Sequence, residues 1–275
     1  MTLTHRLRAA LAATALGALL AAPAGAASDV EAPALDAAQG IVCNLTDAAG
    51  GPVPAPPYGT SPCTGVRPGA QIQTAHGPCS MGFLFTGRDG RRYVSTAGHC
   101  VLGTEKVERS WADGRGSVAA DSTGKRIGTA VYAVQVDVEG TPSGINDFAL
   151  IRLDRGVAAD PQVCHFGGPT SLDTSVENSQ VVFQHVGTGV AGLRARSAFS
   201  PAGLNRPDYI YAHGVAYPGD SGGALQRDNG AAVGLVTQLS YGPLGNIGIN
   251  RLGPHLARAG KLLGTTLTLQ TAPLL

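Results

Sequence analysis

The amino-acid sequence predicts an all-β chain, and three observations carry that prediction. Glycine supplies 39 of 275 residues and proline 18, while charged residues make up only 14%. That balance suits many short strands joined by tight turns better than long, salt-bridged helices. From Val66 onward, short apolar or alternating runs recur between turn residues, which is the pattern of half-buried or buried strands. The last apolar run, over residues 251–263, suits a helix lying against the body of the domain.

Taken in order, residues 1–26 read as an export signal. His5, Arg6 and Arg8 precede an apolar stretch, and small residues follow, ending in Ala24-Gly25-Ala26. The apolar stretch, about 14 residues long, is too short to span a bilayer, and no later run is longer, so a secreted protein with no membrane partner is expected. Residues 27–65 are Ala-rich and then Pro-rich at Gly50-Gly51-Pro52-Val53-Pro54-Ala55-Pro56-Pro57. They lack alternation and read as a linker or propeptide-like segment.

Residues 66–275 form the expected folded domain. Residues 81–86 and 92–96 are strand-like and flank Gly87-Arg88-Asp89-Gly90, whose Asp-Gly step signals a hairpin. Residues 132–138 alternate, with Val134, Val136 and Val138 on one face, and read as a half-buried strand. Residues 148–153, 180–186, 209–212, 224–226, 233–239 and 247–250 add further short strands.

Chemistry enters with Thr96-Ala97-Gly98-His99-Cys100, Asp147-Phe148-Ala149-Leu150-Ile151 and Gly219-Asp220-Ser221-Gly222-Gly223, which follow one another in the order His, Asp, Ser. A serine hydroxyl is a poor nucleophile until a histidine takes its proton, and that histidine needs a carboxylate to fix its tautomer. His99 follows an apolar-polar strand at a turn of small residues. Asp147 opens an apolar run, where a buried carboxylate needs donors and an imidazole N–H is one. Gly219, Gly222 and Gly223 permit the tight turns that let neighbouring amides converge on one spot.

The three stretches resemble, residue by residue, the blocks around the triad of chymotrypsin-like serine proteases. Gly77-Pro78-Cys79-Ser80-Met81-Gly82-Phe83 resembles the streptogrisin branch of bacterial secreted members. The resemblance covers roughly residues 66–262. It implies two antiparallel six-stranded β-barrels with the active site in the cleft between them, His99 and Asp147 from the first and Ser221 from the second, plus a C-terminal helix. It also implies a serine endopeptidase acting on protein or peptide substrates through an acyl-enzyme, without metal or cofactor, as a monomer. Ser221 is then the nucleophile, His99 the general base, Asp147 its orienting acid, and the Gly219 and Ser221 amides the oxyanion hole. Asp220 is expected to anchor that loop through a buried ion pair, with an internal partner that the sequence does not name.

The resemblance further implies a Cys79–Cys100 disulfide beside His99. The sequence leaves open whether Cys43 or Cys63 reaches Cys164, or whether Cys43 pairs with Cys63 and leaves Cys164 free. The pocket base falls at Val215, followed by Ala216 and Tyr217, and the strand through Thr237, Gln238 and Leu239 is the expected pocket wall. None of these is a carboxylate, so uncharged, apolar side chains are expected before the scissile bond rather than Lys or Arg. Leu239 is expected to narrow the channel, and Asn246 to project into the pocket.

Other classes fit less well. Cleavage after Ala26 leaves a formal charge of −1 with scattered Lys and Arg, which argues against a nucleic-acid partner. Gly219 to Gly223 also satisfies the Gly-x-Ser-x-Gly turn of α/β-hydrolases, with Asp228 and His255 following. Short strands and glycines occupy the interval to His255, in place of the α/β units that fold requires. A catalytically silent secreted binding protein on the same scaffold is the remaining alternative.

Overall fold

The computed structural model describes residues 61–137, 146–175, 180–189, 194–207, 209–242 and 245–275, with the side chains of 240–242 and 245–246 excepted. The export segment, residues 27–60 with Cys43, Val138 and the Asn246 side chain lie outside these described residues. All described residues belong to the unit Leu35–Leu275. Among them no helix is long and apolar enough to cross a membrane.

The first half of the domain is a sheet built from β1 (Gln71–Thr74), β2 (Gly77–Ser80), β3 (Leu84–Gly87) and β4 (Arg92–Thr96), followed by the one-turn helix α1 (His99–Leu102). It continues with β5 (Glu108–Ser110), β6 (Val118–Asp121), β7 (Arg126–Val134) and β8 (Phe148–Leu153). The Asp-Gly step turns β3 into β4 as its sequence foretold: Gly87 and Arg91 close the hairpin by an N–H···O bond of 2.8 Å, with Leu84 opposite Val94.

The second half contains β9 (Ser171–Leu172), β10 (Val181–Val186), β11 (Ala195–Ser200), β12 (Tyr209–Gly214), β13 (Ala224–Arg227), β14 (Ala231–Gly242) and β15 (Gly245–Arg251). Helix α2 (Leu252–Leu263) and β16 (Leu267–Leu269) follow, the latter returning to pair with β3 of the first sheet. Pro254 sits in the first turn of α2, where a missing N–H costs nothing, and Gly264 ends the helix in the left-handed conformation.

The all-β prediction with one C-terminal helix holds. Six strands close on themselves in the order β13-β10-β11-β12-β15-β14 and back to β13, the barrel expected for the second half. The first sheet has nine strands in the order β16-β3-β4-β8-β7-β6-β1-β2, with β5 on β7, and its ladder is not closed. The gap falls at the irregular link between β2 and β3, where Met81 and Gly82 donate instead to Ala70 and Ser95 carbonyls at 2.7 Å each.

The run expected to be half-buried over 132–138 needs correction. Its strand, β7, starts at Arg126 and ends at Val134, and every residue from Ile127 to Val134 is buried. Residues of β7 share one core with Ile72, Phe85 and Leu150, and α2 brings Leu252, Leu256 and Ala259 into the same core. A strand covered on both sides loses its polar face, so its true length was hidden from period-two reading. The second barrel has its own core of Phe183, Ile210, Leu225, Val233, Val236 and Ile249. Ala232 and Leu235 of β14 belong to the first core instead, although β14 pairs only within the second sheet.

Two histidines are fully buried in this framework. His255 on α2 stacks on Phe148 at 5.4 Å between ring centroids, and its ring nitrogens have no hydrogen-bond partner among the described residues. Burial pushes its pKa down to about 4, a shift the nearby Glu108 opposes. Burial, and then the charge of Arg196, push His185 down to about 3. Both are neutral when folded and protonate readily when unfolded, so the stability they confer is full above about pH 6.5 and drains as pH falls. Each is expected to cost about 2 kcal/mol between pH 7 and 5. Urea unfolding at the two pH values checks this, and His255→Leu is expected to halve the difference; an unchanged slope contradicts it.

Candidate active site

Strands β4 and β8 pair antiparallel with Thr96 opposite Ala149. The residues just beyond this end of each strand, His99 in α1 and Asp147 before β8, therefore emerge together. The Asp147 carboxylate grips His99 twice: Oδ1 accepts its backbone N–H at 2.7 Å and Oδ2 meets ring Nδ1 at 2.6 Å. The first bond fixes the backbone of the turn and the second the ring, which leaves Nε2 as the free nitrogen. The Asp147 side chain is 16% exposed and that of His99 32%, so the carboxylate is shielded while the imidazole reaches the surface.

Ser221 lies in the turn before β13 and is drawn to the His99 segment from several directions. Its carbonyl accepts the Ser80 N–H at 2.8 Å and lies 4.0 Å from Cys100 Sγ. Cys100 is bridged to Cys79, the disulfide implied by the sequence. A Cβ on Gly222 would come within 2.3 Å of Thr96 Oγ1 and 2.5 Å of the Ser80 carbonyl, so glycine is required for the two segments to approach this closely. The Ser221 hydroxyl has no hydrogen-bond partner among the described residues. Serine–imidazole bonds of this kind commonly tighten only in the substrate complex.

Asp220, Gly222 and Gly223 donate their N–H groups to Tyr217, Val236 and Asp220 carbonyls at 3.0, 2.6 and 2.8 Å. Pro218 has none to give. The Gly219 and Ser221 N–H groups have no acceptor among the described residues. Gly219 and Ser221 are half-buried, so their N–H groups remain open to an acceptor from outside the turn, and these two belong to the residues expected to hold an oxyanion.

Asp220 is 1% exposed. The internal partner foreseen for it is Arg196 of β11, whose two terminal nitrogens each lie 2.6 Å from a carboxylate oxygen. The Gly189 and Tyr217 amides complete the shell at 2.8 and 2.7 Å. Burial raises the Asp220 pKa, but the bidentate guanidinium and the amides outweigh it and hold the carboxyl below the usual carboxylate range. Sequence reasoning missed Arg196 because β11 gave no strand signal and an arginine there reads as surface.

A cleft of about 470 Å³ brings Thr237 and Gln238 of β14 together with His99 and Asp147. Gln135, Asn146 and Lys106 also line it and were not foreseen; Lys106 donates to Gln135 at 2.9 Å. The other expected pocket residues lie outside that cleft. Val215, Ala216 and Tyr217 are half-buried in the segment entering the Ser221 turn, with Ala216 against the second core. Leu239 is half-buried on β14, opposite Ile247. Cys164 pairs with Cys63 across 101 residues, which decides between the alternatives the sequence left open and ties residue 63 to the body. His99 lies within ligating distance of Cys79 and Cys100, and His165 of Cys63 and Cys164. In each group the two sulfurs form a disulfide, which leaves a single imidazole.

The family model described as Trypsin matches residues 66–250. The "probable periplasmic serine protease do/HhoA-like" of Haemophilus influenzae is 29% identical over 157 residues, 57% of this chain. The chain spans 30% of that relative's length. A glutamic-acid-specific serine protease described as using a histidine triad in substrate binding superposes with a TM-score of 0.52 at 21% identity, covering 74% of this chain and all of the other. The chymotrypsin of Cellulomonas bogoriensis gives 0.50 at 22% identity, covering 74% and 98%.

Proposed function

The chain belongs to the trypsin family, and from that premise we propose that it is a secreted serine endopeptidase whose protease domain follows a signal peptide and a propeptide-like linker. Ser221 attacks the scissile carbonyl, His99 takes its proton and returns it to the leaving amine, and Asp147 holds the ring in the productive tautomer. The Gly219 and Ser221 amides receive the oxyanion. The observation that carries this reading is the pairing of two idle amides in the Ser221 turn with an imidazole held at both backbone and ring by Asp147. Export is supported by the basic-apolar-small N-terminus and by the periplasmic description of the Haemophilus relative.

The substrate reading follows from what the candidate pocket residues lack. Val215, Ala216, Tyr217, Thr237, Gln238 and Leu239 include no carboxylate to select Lys or Arg. They include no histidine or other cation that would select glutamate, as the structural relative does by its description. Uncharged, apolar side chains are the class left. Cleavage of a mixed peptide library, read by mass spectrometry, is expected to put apolar residues before the scissile bond at least about tenfold more often than Arg or Glu, the discrimination a buried unpaired charge imposes. Dominant cleavage after Arg or Glu overturns the specificity, and no cleavage at all overturns the enzymatic reading.

A further inference from the structure

The Gly219 carbonyl, rather than its amide, is where the structure spends its polar groups. Ser80 Oγ donates to that oxygen at 2.8 Å and Thr188 Oγ1 at 3.1 Å. The two hydroxyls are 3.2 Å apart, and the Thr188 N–H donates back to Ser80 Oγ at 2.9 Å. Both hydroxyls have the Gly219 carbonyl as their shortest acceptor, although Thr188 Oγ1 also lies 3.4 Å from the Cys79 carbonyl, and an amide fills the serine oxygen. Ser80 is fully buried. Its backbone is fastened as well, its N–H to the Ser221 carbonyl at 2.8 Å and its own carbonyl to Thr96 Oγ1 at 2.9 Å.

Gly219 has φ +104, a conformation open to glycine, and glycine's freedom gives the peptide units around it more than one low-energy orientation. A turn of those units would swing the Gly219 N–H out of the site. The Gly219 carbonyl shares its peptide unit with the Asp220 N–H, which donates to the Tyr217 carbonyl at 3.0 Å, so the two hydroxyls and that bond hold one plane from opposite edges. We propose that Ser80 and Thr188 are positioning residues: by capturing the Gly219 carbonyl from two sides they fix the peptide unit that follows Gly219, and so limit the rotation at its Cα by which the Gly219 N–H, on the preceding unit, could turn away from the reacting carbonyl of the substrate. Because Ser80 also binds Ser221 and Thr96, and neighbours the bridged Cys79, the same clamp keeps the oxyanion donor in register with the His99 turn. The inference rests on the protease reading and adds to it two residues that touch neither substrate nor reacting atoms.

The test compares Ser80→Ala, Thr188→Ala, Thr188→Ser and the double Ser80→Ala/Thr188→Ala variant, with rates normalised to the folded fraction in urea titrations. Losing a whole oxyanion donor costs roughly a hundredfold or more, so a donor that is present but loosely aimed is expected to cost about tenfold in kcat for Ser80→Ala and about threefold for Thr188→Ala. KM should stay within about twofold, and a peptide aldehyde that mimics the tetrahedral state should weaken in parallel with kcat. Thr188→Ser keeps the hydroxyl and should retain wild-type rates. Wild-type kcat in both alanine variants, or loss of substrate affinity and kcat in equal measure, overturns the clamp. A crystal structure of Ser80→Ala decides it separately from activity: rotation at Gly219 that turns its N–H away from the Ser221 N–H supports the clamp, and an unmoved Gly219 N–H refutes it. Absence of hydrolysis by the unmutated chain tells against the protease reading instead.

Discussion

Replacing His99 with alanine is expected to lower kcat by roughly ten-thousand- to million-fold while leaving KM nearly unchanged. The ring makes one structural bond, to Asp147, and is partly exposed, so the fold should survive its loss. On the proposed mechanism the variant lacks its base: Ser221 keeps its proton at neutral pH and its hydroxyl is a poor nucleophile. The groups act as a unit, so His99→Ala/Ser221→Ala should be no slower than either single variant. Asp147→Asn should be intermediate in kind, because it preserves shape but favours the wrong tautomer, with a loss of about ten-thousand-fold. Steady-state kinetics on a chromogenic peptide measures all four, and losses that multiply in the double variant contradict a shared mechanism.

The second large effect concerns stability. Arg196→Met is expected to destabilise the fold by about 3–5 kcal/mol, because it strands the Asp220 carboxylate in a site where no other cation is paired to it among the described residues. The pair is almost wholly buried, with side chains 3% and 1% exposed, so water cannot replace the guanidinium. Arg196→Lys should recover part of this, since an ammonium restores the charge but not the two-pronged geometry. Asp220 also fixes the Gly189 and Tyr217 amides, so kcat of the folded fraction should fall about a hundredfold, comparable with losing one oxyanion donor. Urea unfolding and kinetics on the same samples separate the two losses. A variant within about 0.5 kcal/mol of wild type would show that the pair sets activity without holding the loop.

The chemistry of this site is legible in sequence to the extent that it is local. The triad blocks are contiguous runs, β8 occupies the residues its apolar pattern marks, and α2 begins one residue later than expected. The Asp-Gly hairpin is read from a turn preference that no distant contact alters. Strands β1, β2, β5 and β11 escape because they carry Gln, Pro, Arg or Glu where an apolar period would be, and β6 and β16 because four and three residues are too few to show one. Their pairing is tertiary. The same holds for what supports the site. Arg196 lies 24 positions from Asp220, and Ser80 and Thr188 lie 139 and 31 positions from Gly219, and nothing in their immediate neighbours announces a buried role. Cys63–Cys164 closes a separation of 101 residues, beyond any spacing rule. His185 and His255 read as surface or structural residues, and burial with neutral rings gives them a part in acid sensitivity that sequence does not reveal.

The most direct measurement is covalent. Purified, folded protein and its His99→Ala variant are treated with a fluorophosphonate probe at neutral pH, digested, and mapped by mass spectrometry. A nucleophile activated by an imidazole and facing two free amides should carry the label on Ser221 alone, and the variant should carry essentially none. Labelling that persists in His99→Ala, or that falls on any residue other than Ser221, would contradict the assembled triad.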